Sequence, residues 1–543
     1  MTDSTALARA VITGLIGAGV REVVLAPGSR NAPLSFAVYD AAQAGLLRLH
    51  TRIDERSAGF LALGLTKAGA RAAVMCTSGT AVANLHPAML EAAHAGVPLV
   101  AVTADRPVRL HGTNANQTTD QVGTFGPLIP TLDLADVGVV RDVWALQQPD
   151  EGPERHGLPL HLNVRLEEPL VPGESWAELP EGPSTPAGGD EEVRRRWWRV
   201  EGDATEISLG PRTVVVAGDD AGPPARALAE RAQWPLLAEP SSGARTGTHA
   251  LRTYRLLLDT GLGDQVERAV VFGHPTLSRP VSRLLARAGI EVWSGPAGGV
   301  WTGRPFPVAC SFEWLSVQEN ADTAWLDLWL EADRRVGRDL DRLLDAEPGL
   351  TAYDVAGAVA HALPAGGLLV VGSSNPIRDL DLMVPRYDVG ARRKVIANRG
   401  LAGIDGVVST AVGASLARDS SRSLALLGDV TFLHDSNGLV LGPDEPRPDL
   451  TIVVVNDDGG SIFASLEQGS AEYADRFDRL FGTPHGVDLA ALCAATRTPH
   501  LKVTSRVELE HALASPNGGI EVVEAVVRRD HRRDLDARIR ALA

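Results

Sequence analysis

Three consecutive α/β domains, each built on a parallel sheet covered by helices, form the fold class that this sequence predicts. Two observations carry the expectation. Short apolar runs of strand length alternate with stretches of helical spacing, the pattern of repeated βαβ units. That alternation breaks twice, at a Pro-, Gly- and acid-rich stretch without periodicity (172–192, PGESWAELPEGPSTPAGGDEE) and at a charged helical connector, roughly 322–348, that stops at Pro348-Gly349. A length of 543 residues suits three or four domains, since domains run to about 150 residues. The expected domains are therefore 1–180, 193–345 and 350–543.

In chain order, Ser4 through Ala18 have amphipathic helix spacing, and REVVLAPGS (21–29) is a strand entering a glycine turn. A helix is expected over Ala32 to Ala44, then a short strand and a helix starting near Asp54-Glu55 within residues 49–69. Residues 72–107 give strand, glycine turn, helix and strand. The alternation resumes with RTVVVAGDD (212–220), a helix around Ala225 to Ala232, and AVVFGHPTLSRP (269–280). The third block opens at Ala352 and includes GGLLVVGSSNPIRDLD (366–381) and KVIANRGLAGIDG (394–406). The first and third blocks repeat one layout without obvious sequence identity.

Composition narrows the function classes. A 44% hydrophobic and 22% charged chain is a soluble globular protein with large cores. The net charge of −16 argues against a nucleic-acid or acidic-membrane partner. Only Lys67, Lys394 and Lys502 among the 52 basic residues are lysines, so an arginine in place of a lysine says little at any one site. Cys76, Cys310 and Cys493 are isolated and form no disulfide framework. No apolar run has the length of a membrane span and no targeting stretch opens the chain, so a cytoplasmic location is expected. No GxGxxG run follows a strand, and the 14 histidines show neither triad nor zinc spacing.

Residues 424–463 carry the most chemistry. A strand-like run (Leu424 to Leu427) ends in Gly428-Asp429, a helix-compatible segment begins near His434-Asp435, and a second strand (Leu450 to Val455) ends in Asn456-Asp457-Asp458-Gly459-Gly460. Parallel strands joined by a crossover bring their carboxyl ends side by side, where open α/β sheets bind ligands. Either turn alone is an ordinary strand end. Together, oxygen ligands beside glycines suit Mg²⁺ bridging a diphosphate.

This pair of turns resembles the metal and diphosphate signature of thiamine-diphosphate enzymes, and GGSIF (459–463) is similar to the segment that follows it in one branch. The resemblance implies Asp429, Asp457 and the Gly459 carbonyl as metal ligands, with Asn456 as the alternative to Asp457. Asp457 stands where most relatives carry Asn, and Val430 where many carry Gly. APGSRNAPL (26–34), RIDERSAGFLALGLTK (52–67), TSGTAVANLHPA (77–88), TADRP (103–107), NQTTDQ (116–121), GHPTLSRP (273–280), NRGLAGIDG (398–406) and GDVTFLHDSNGL (428–439) resemble one family among them. That family is the 2-succinyl-5-enolpyruvyl-6-hydroxy-3-cyclohexene-1-carboxylate (SEPHCHC) synthases of menaquinone biosynthesis.

The resemblance implies three α/β domains of the thiamine-enzyme type: pyrimidine-binding, central and diphosphate-binding. It makes Glu55 the catalytic carboxyl that activates the aminopyrimidine, and so expects a buried side chain, although a solvated first-turn Glu is the plain alternative. It assigns Ser78, Gly79, Thr80, Ile404, Gly428, Asp429, Thr431, Ile462 and Phe463 to the cofactor, Ile404 as an apolar prop. The implied cofactors are thiamine diphosphate and Mg²⁺ or Mn²⁺. Family precedent pairs the first domain of one chain with the third of another, which implies a homodimer or tetramer.

The implied substrates, 2-oxoglutarate and isochorismate, are dianions, and planar guanidinium groups suit their carboxylates. Arg30, Arg106, Arg378 and Arg399 match family motifs near strand ends, and Arg279 stands where relatives often carry Lys. Ser29, Asn116, Gln117 and Ser374 are the neutral hydrogen-bonding candidates, and Leu466 joins Ile462 and Phe463 in an apolar wall. The implied reaction is decarboxylation of 2-oxoglutarate and conjugate addition to isochorismate. Another thiamine-dependent 2-oxo-acid decarboxylase or carboligase, or a non-catalytic α/β nucleotide-binding subunit, are the alternatives.

Overall fold

The structure, a computed structural model, describes residues 3–140, 158–180, 204–384 and 386–543. The chain forms two compact units: residues 1–195 with 405–419 and 434–448, and residues 196–404 with 420–433 and 449–543. Residues 181–192 of the expected linker lie outside the described residues, and 172–180 carry neither helix nor strand. Among the described residues, no helix is long and apolar enough to cross a membrane.

The first unit is built on β1 (Glu22–Leu25), β2 (Arg48–Thr51), β3 (Ala72–Cys76), β4 (Val100–Asp105), β5 (Thr131–Leu134) and β6 (Leu160–Arg165), in the order β2-β1-β3-β4-β6-β5. Every neighbouring pair is parallel. Strands such as β1 and β3 are buried along their whole length because helices cover both faces, which explains the apolar VVL and AAVMC within them. The expected helices form at Asp3–Gly17, Ala32–Gln43 and Glu55–Lys67. The helix after β3 is interrupted, running Thr80–Asn84 and then His86–Ala95 with Pro87 at its start.

The Glu55–Lys67 helix packs along the Val407–Ala417 helix, which is buried from Val407 through Ser415. Small residues permit the approach. A Cβ added at Gly64 would lie 2.1 Å from the Thr410 carbonyl oxygen, and one at Gly413 would lie 2.1 Å from that of Leu61. Gly413→Val therefore forces two backbones apart, and a loss of about 3 kcal/mol is expected, read as a fall in the unfolding midpoint.

Asp435 lies in the same unit. It is 0% exposed and accepts from Ser409 N (2.7 Å), Ser409 Oγ (3.1 Å) and Ser57 Oγ (3.2 Å). Burial pushes its carboxyl up to about 6, against the opposing hydrogen bonds and the charge of Arg56. A raised folded value means that the protonated group favours folding, and that contribution is lost as pH rises from about 4 through about 6. Relative to Asp435→Asn, the wild type should lose roughly 2 kcal/mol of stability between about pH 4.5 and 7.5, measured by urea unfolding.

The second unit contains β7 (Thr205–Ile207), β8 (Thr213–Ala217), β9 (Leu236–Ala238), β10 (Arg268–Phe272), β11 (Glu291–Ser294), β12 (Cys310–Ser311) and β13 (Leu315–Val317). These make a five-stranded parallel sheet, β12-β11-β10-β8-β9, and a parallel pair, β13-β7. The helical connector forms at Ala324–Asp345 and buries Trp329 and Leu340. A third sheet follows with β14 (Leu368–Val371), β15 (Lys394–Ala397), β16 (Ser423–Gly428), β17 (Leu450–Asn456), β18 (His500–Val503) and β19 (Ile520–Val526), in the order β15-β14-β16-β17-β19-β18. All its pairs are parallel. Counted from its own first strand, this order is the same as that of the first sheet.

One local expectation is corrected. The helix after Gly428 begins at once, at Asp429, and ends at His434, where the sequence reading expected it to start. Residues 436–439 are only a 3-10 turn. The helix, DVTFLH, spans only six residues, too few to show a helical period in the sequence.

Candidate active site

In both six-stranded sheets, the first four strands each lead into loops that carry assigned residues. In the first unit β1 precedes Ser29 and Arg30, β2 precedes Glu55, β3 precedes Ser78-Gly79-Thr80, and β4 precedes Arg106. In the second unit β14 precedes Ser374 and Arg378, β15 precedes Arg399, β16 precedes Asp429, and β17 precedes Asp457. Carboxyl ends of parallel strands are where such sheets hold ligands.

Glu55 is the first residue of its helix, whose N-cap, Asp54, accepts from Arg56 N and Ser57 N. It is half-buried in the single chain, not buried as expected, and its Oε2 accepts from Asn84 Nδ2 at 3.2 Å. A first-turn residue at the rim of a strand end keeps one side open to solvent. Its charge also acts on Cys76, at the end of β3, whose thiol burial and Glu55 together push up.

Ser78, Arg106 and Gln117 come together. Arg106 is 7% exposed and donates through Nη1 to Ser78 Oγ and to the Gln117 carbonyl, while Gln117 Nε2 donates to the Ser78 carbonyl at 2.9 Å. Burial and the charge of Arg30 lower the Arg106 value, so two guanidinium groups stand close. Arg30 donates to the Leu166 carbonyl at 3.1 Å, and its buried Nε has no hydrogen-bond partner among the described residues. Ser29 and Asn116 are exposed. Gln121, which the sequence reading left unassigned, holds the turn by accepting from Gly79 N at 2.9 Å and donating to Asn163 Oδ1 at 3.0 Å.

Asp429 is 2% exposed and accepts from Val430 N (2.7 Å), Gly459 N (2.9 Å) and His485 Nε2 (3.2 Å). Val487 N donates to His485 Nδ1, which puts the ring proton on Nε2, facing Asp429. Burial raises the Asp429 carboxyl despite these donors. Asp457 is pushed up to about 7, first by burial and then by the charge of Asp429. A buried and a half-buried carboxylate that repel each other form a donor set that fits a divalent cation. Asn456 is otherwise engaged: its Nδ2 donates to Glu524 at 2.7 Å and its Oδ1 accepts from Asp458 N at 3.0 Å. Gly459 has φ +141°, and an added Cβ would lie 2.1 Å from the Gly482 carbonyl oxygen, so only glycine fits. Among the described residues, no group of three or more His, Cys, Asp or Glu side chains could hold a metal unaided.

Thr431 is buried, and Ser374 Oγ would be 3.9 Å from a Cβ at Gly428. Ile404, Ile462, Phe463 and Leu466 are half-buried, with the Phe463 ring 5.8 Å from that of Phe481. Arg399 is 3% exposed; its Nη2 donates to Thr276 Oγ1 at 2.7 Å, while its Nε and Nη1 have no hydrogen-bond partner among the described residues. Arg378 donates to the carbonyls of Ser373 and Ser374, and burial followed by the charges of Arg399 and Arg255 lowers it to about 10. Arg279 stands apart, its side chain 67% exposed and paired with Glu467 at 3.2 Å. His485 and Glu239 also face these groups, and neither has a spacing signal in the sequence. Thr276 lies in the quoted GHPTLSRP stretch but carried no assignment.

Residues 5–124 match the N-terminal TPP binding domain of thiamine pyrophosphate enzymes, and residues 381–523 match their C-terminal TPP binding domain. The chain is 67% identical to a SEPHCHC synthase of Nocardioides sp., over 99% of this chain and 98% of that protein. It is 46% identical to one of Kineococcus radiotolerans and 44% identical to one of Saccharopolyspora erythraea, each over 100% of this chain and 99% of the relative. Identity at this level across the whole length means that the chain belongs to the 2-succinyl-5-enolpyruvyl-6-hydroxy-3-cyclohexene-1-carboxylate synthase family of thiamine pyrophosphate enzymes.

Proposed function

We propose that the chain is a thiamine-diphosphate-dependent transferase that forms SEPHCHC and carbon dioxide from 2-oxoglutarate and isochorismate in menaquinone biosynthesis, in the cytoplasm. The observation that carries the substrate assignment is Arg399, a buried guanidinium with two unpartnered nitrogens beside a second arginine, Arg378. An unpaired buried cation is costly unless an anion completes it, and a carboxylate fits its planar edge.

Thiamine diphosphate, when bound, supplies the carbon nucleophile and the electron sink that decarboxylation of a 2-oxo acid requires. The chain's own residues do the rest. Glu55 holds or gives a proton at its carboxyl to activate the aminopyrimidine, with Ser78, Gly79 and Thr80 beside it. Asp429, Asp457 and the Gly459 carbonyl would hold Mg²⁺ or Mn²⁺, which would anchor the diphosphate, and Gly428 and Thr431 would serve the same end of the cofactor. The prior engagement of Asn456 supports Asp457 as the ligand. Ile404, Ile462, Phe463 and Leu466 exclude water. Arg30, Arg106, Arg378, Arg399 and, more remotely, Arg279 orient the substrate carboxylates with Ser29, Asn116, Gln117 and Ser374. Residues 1–180, 193–345 and 350–543 serve as the pyrimidine-binding, central and diphosphate-binding domains. The active assembly is at least a homodimer, in which a second copy supplies the activating carboxyl.

Carbon dioxide release from 2-oxoglutarate tests the reading. Fast release is expected only when isochorismate is also present, with little from pyruvate under either condition. Turnover of pyruvate as the better substrate would transfer the chain to another class of carboligase.

A further inference from the structure

Glu239 follows β9 and is 2% exposed. Its Oε1 accepts from Leu277 N at 2.9 Å. The preceding residue, Thr276, accepts through Oγ1 from Arg399 Nη2 at 2.7 Å. A single loop, GHPTLSRP, is thus held at Leu277 by a buried carboxyl and at the adjacent Thr276 by Arg399. We propose that Glu239 is a positioning residue, which fixes the Thr276-Leu277 peptide so that Thr276 holds the Arg399 guanidinium in the orientation from which it takes a substrate carboxylate. The proposal rests on the reading of Arg399 as a substrate ligand.

Two further observations agree. Arg399 is so buried that its orientation has few alternatives once Nη2 is engaged, and Thr276 is the hydrogen-bond partner of that guanidinium. Burial pushes the Glu239 carboxyl up to about 8, with the Leu277 amide and the charge of Arg399 opposing it and Asp381 and Asp219 adding to it. An oxygen that accepts from Leu277 N is present in either protonation state. What the site needs from this side chain is an acceptor in a fixed place, which glutamine also supplies.

The test compares kcat and KM for both acids in the cofactor-loaded assembly, together with the melting temperature, for Glu239→Ala, Glu239→Gln, Thr276→Val, the Glu239→Ala/Thr276→Val double variant and Arg399→Ala. Glu239→Ala and Thr276→Val should each raise KM for the carboxylate that Arg399 binds by about tenfold, with kcat held within about twofold. Glu239→Gln should restore KM to within about twofold. The double variant should be no worse than either single one, because both act through the same guanidinium. Multiplicative losses in the double variant, or a glutamine variant as poor as alanine, would overturn the proposal. If Glu239→Ala melts early, Thr276→Val and the glutamine variant carry the comparison. Should Arg399→Ala leave both KM values unchanged, the reading of Arg399 itself fails; should it raise KM while Glu239→Ala and Thr276→Val do not, only the present inference fails.

Discussion

Glu55→Gln is expected to lower kcat by about 10²- to 10⁴-fold, the range that a positioned proton-transfer group contributes. Its affinity for thiamine diphosphate should change far less. The amide is nearly isosteric, and the Asp54 cap, which accepts from Arg56 N and Ser57 N, keeps the helix start in place. The rise in melting temperature on adding thiamine diphosphate and Mg²⁺ should therefore persist in the variant. Turnover near that of the wild type would remove Glu55 from its role, whereas loss of the cofactor-dependent rise would make it a binding residue.

Asp429→Ala should act in the opposite sense, abolishing the cofactor-dependent rise at concentrations that saturate the wild type. That outcome corresponds to an affinity loss of about 100-fold or more, since ligand-linked stabilisation at 100 times Kd is about 2.7 kcal/mol. Asp457→Ala should behave in the same way. Asn456→Ala should keep the rise and lower the starting melting temperature, because it breaks the bond to Glu524 and the turn to Asp458. If Asn456→Ala abolished the rise and Asp457→Ala did not, the two residues would exchange roles.

The sheets were legible in the sequence because a strand covered on both faces must be apolar throughout, as LLVV of β14 and VVVA within β8 are. Short or exposed strands gave weaker signals: β12 has only two residues, and β2 is mostly polar. The helix after Gly428 was placed too late because its six residues are too few to carry a period. At the candidate site, the resemblance named arginines near strand ends but not their partners. Glu239 is 160 residues from Arg399 in the chain, and His485 is 56 from Asp429. Only folding brings such pairs together, and no periodicity records them. The expected burial of Glu55 came from the resemblance and not from helix spacing, and in the single chain the residue is half-buried.

The repeated strand order has a practical corollary. Although the two six-stranded sheets share no obvious sequence, their first four strand ends can be matched one to one: Arg30 with Arg378, Glu55 with Arg399, Thr80 with Asp429, and Arg106 with Asp457. The two halves thus share a coordinate system in which loop insertions, deletions or exchanges can be specified by strand rather than by alignment. A graft designed after β1 has a defined counterpart after β14, which turns one scaffold into two comparable engineering sites.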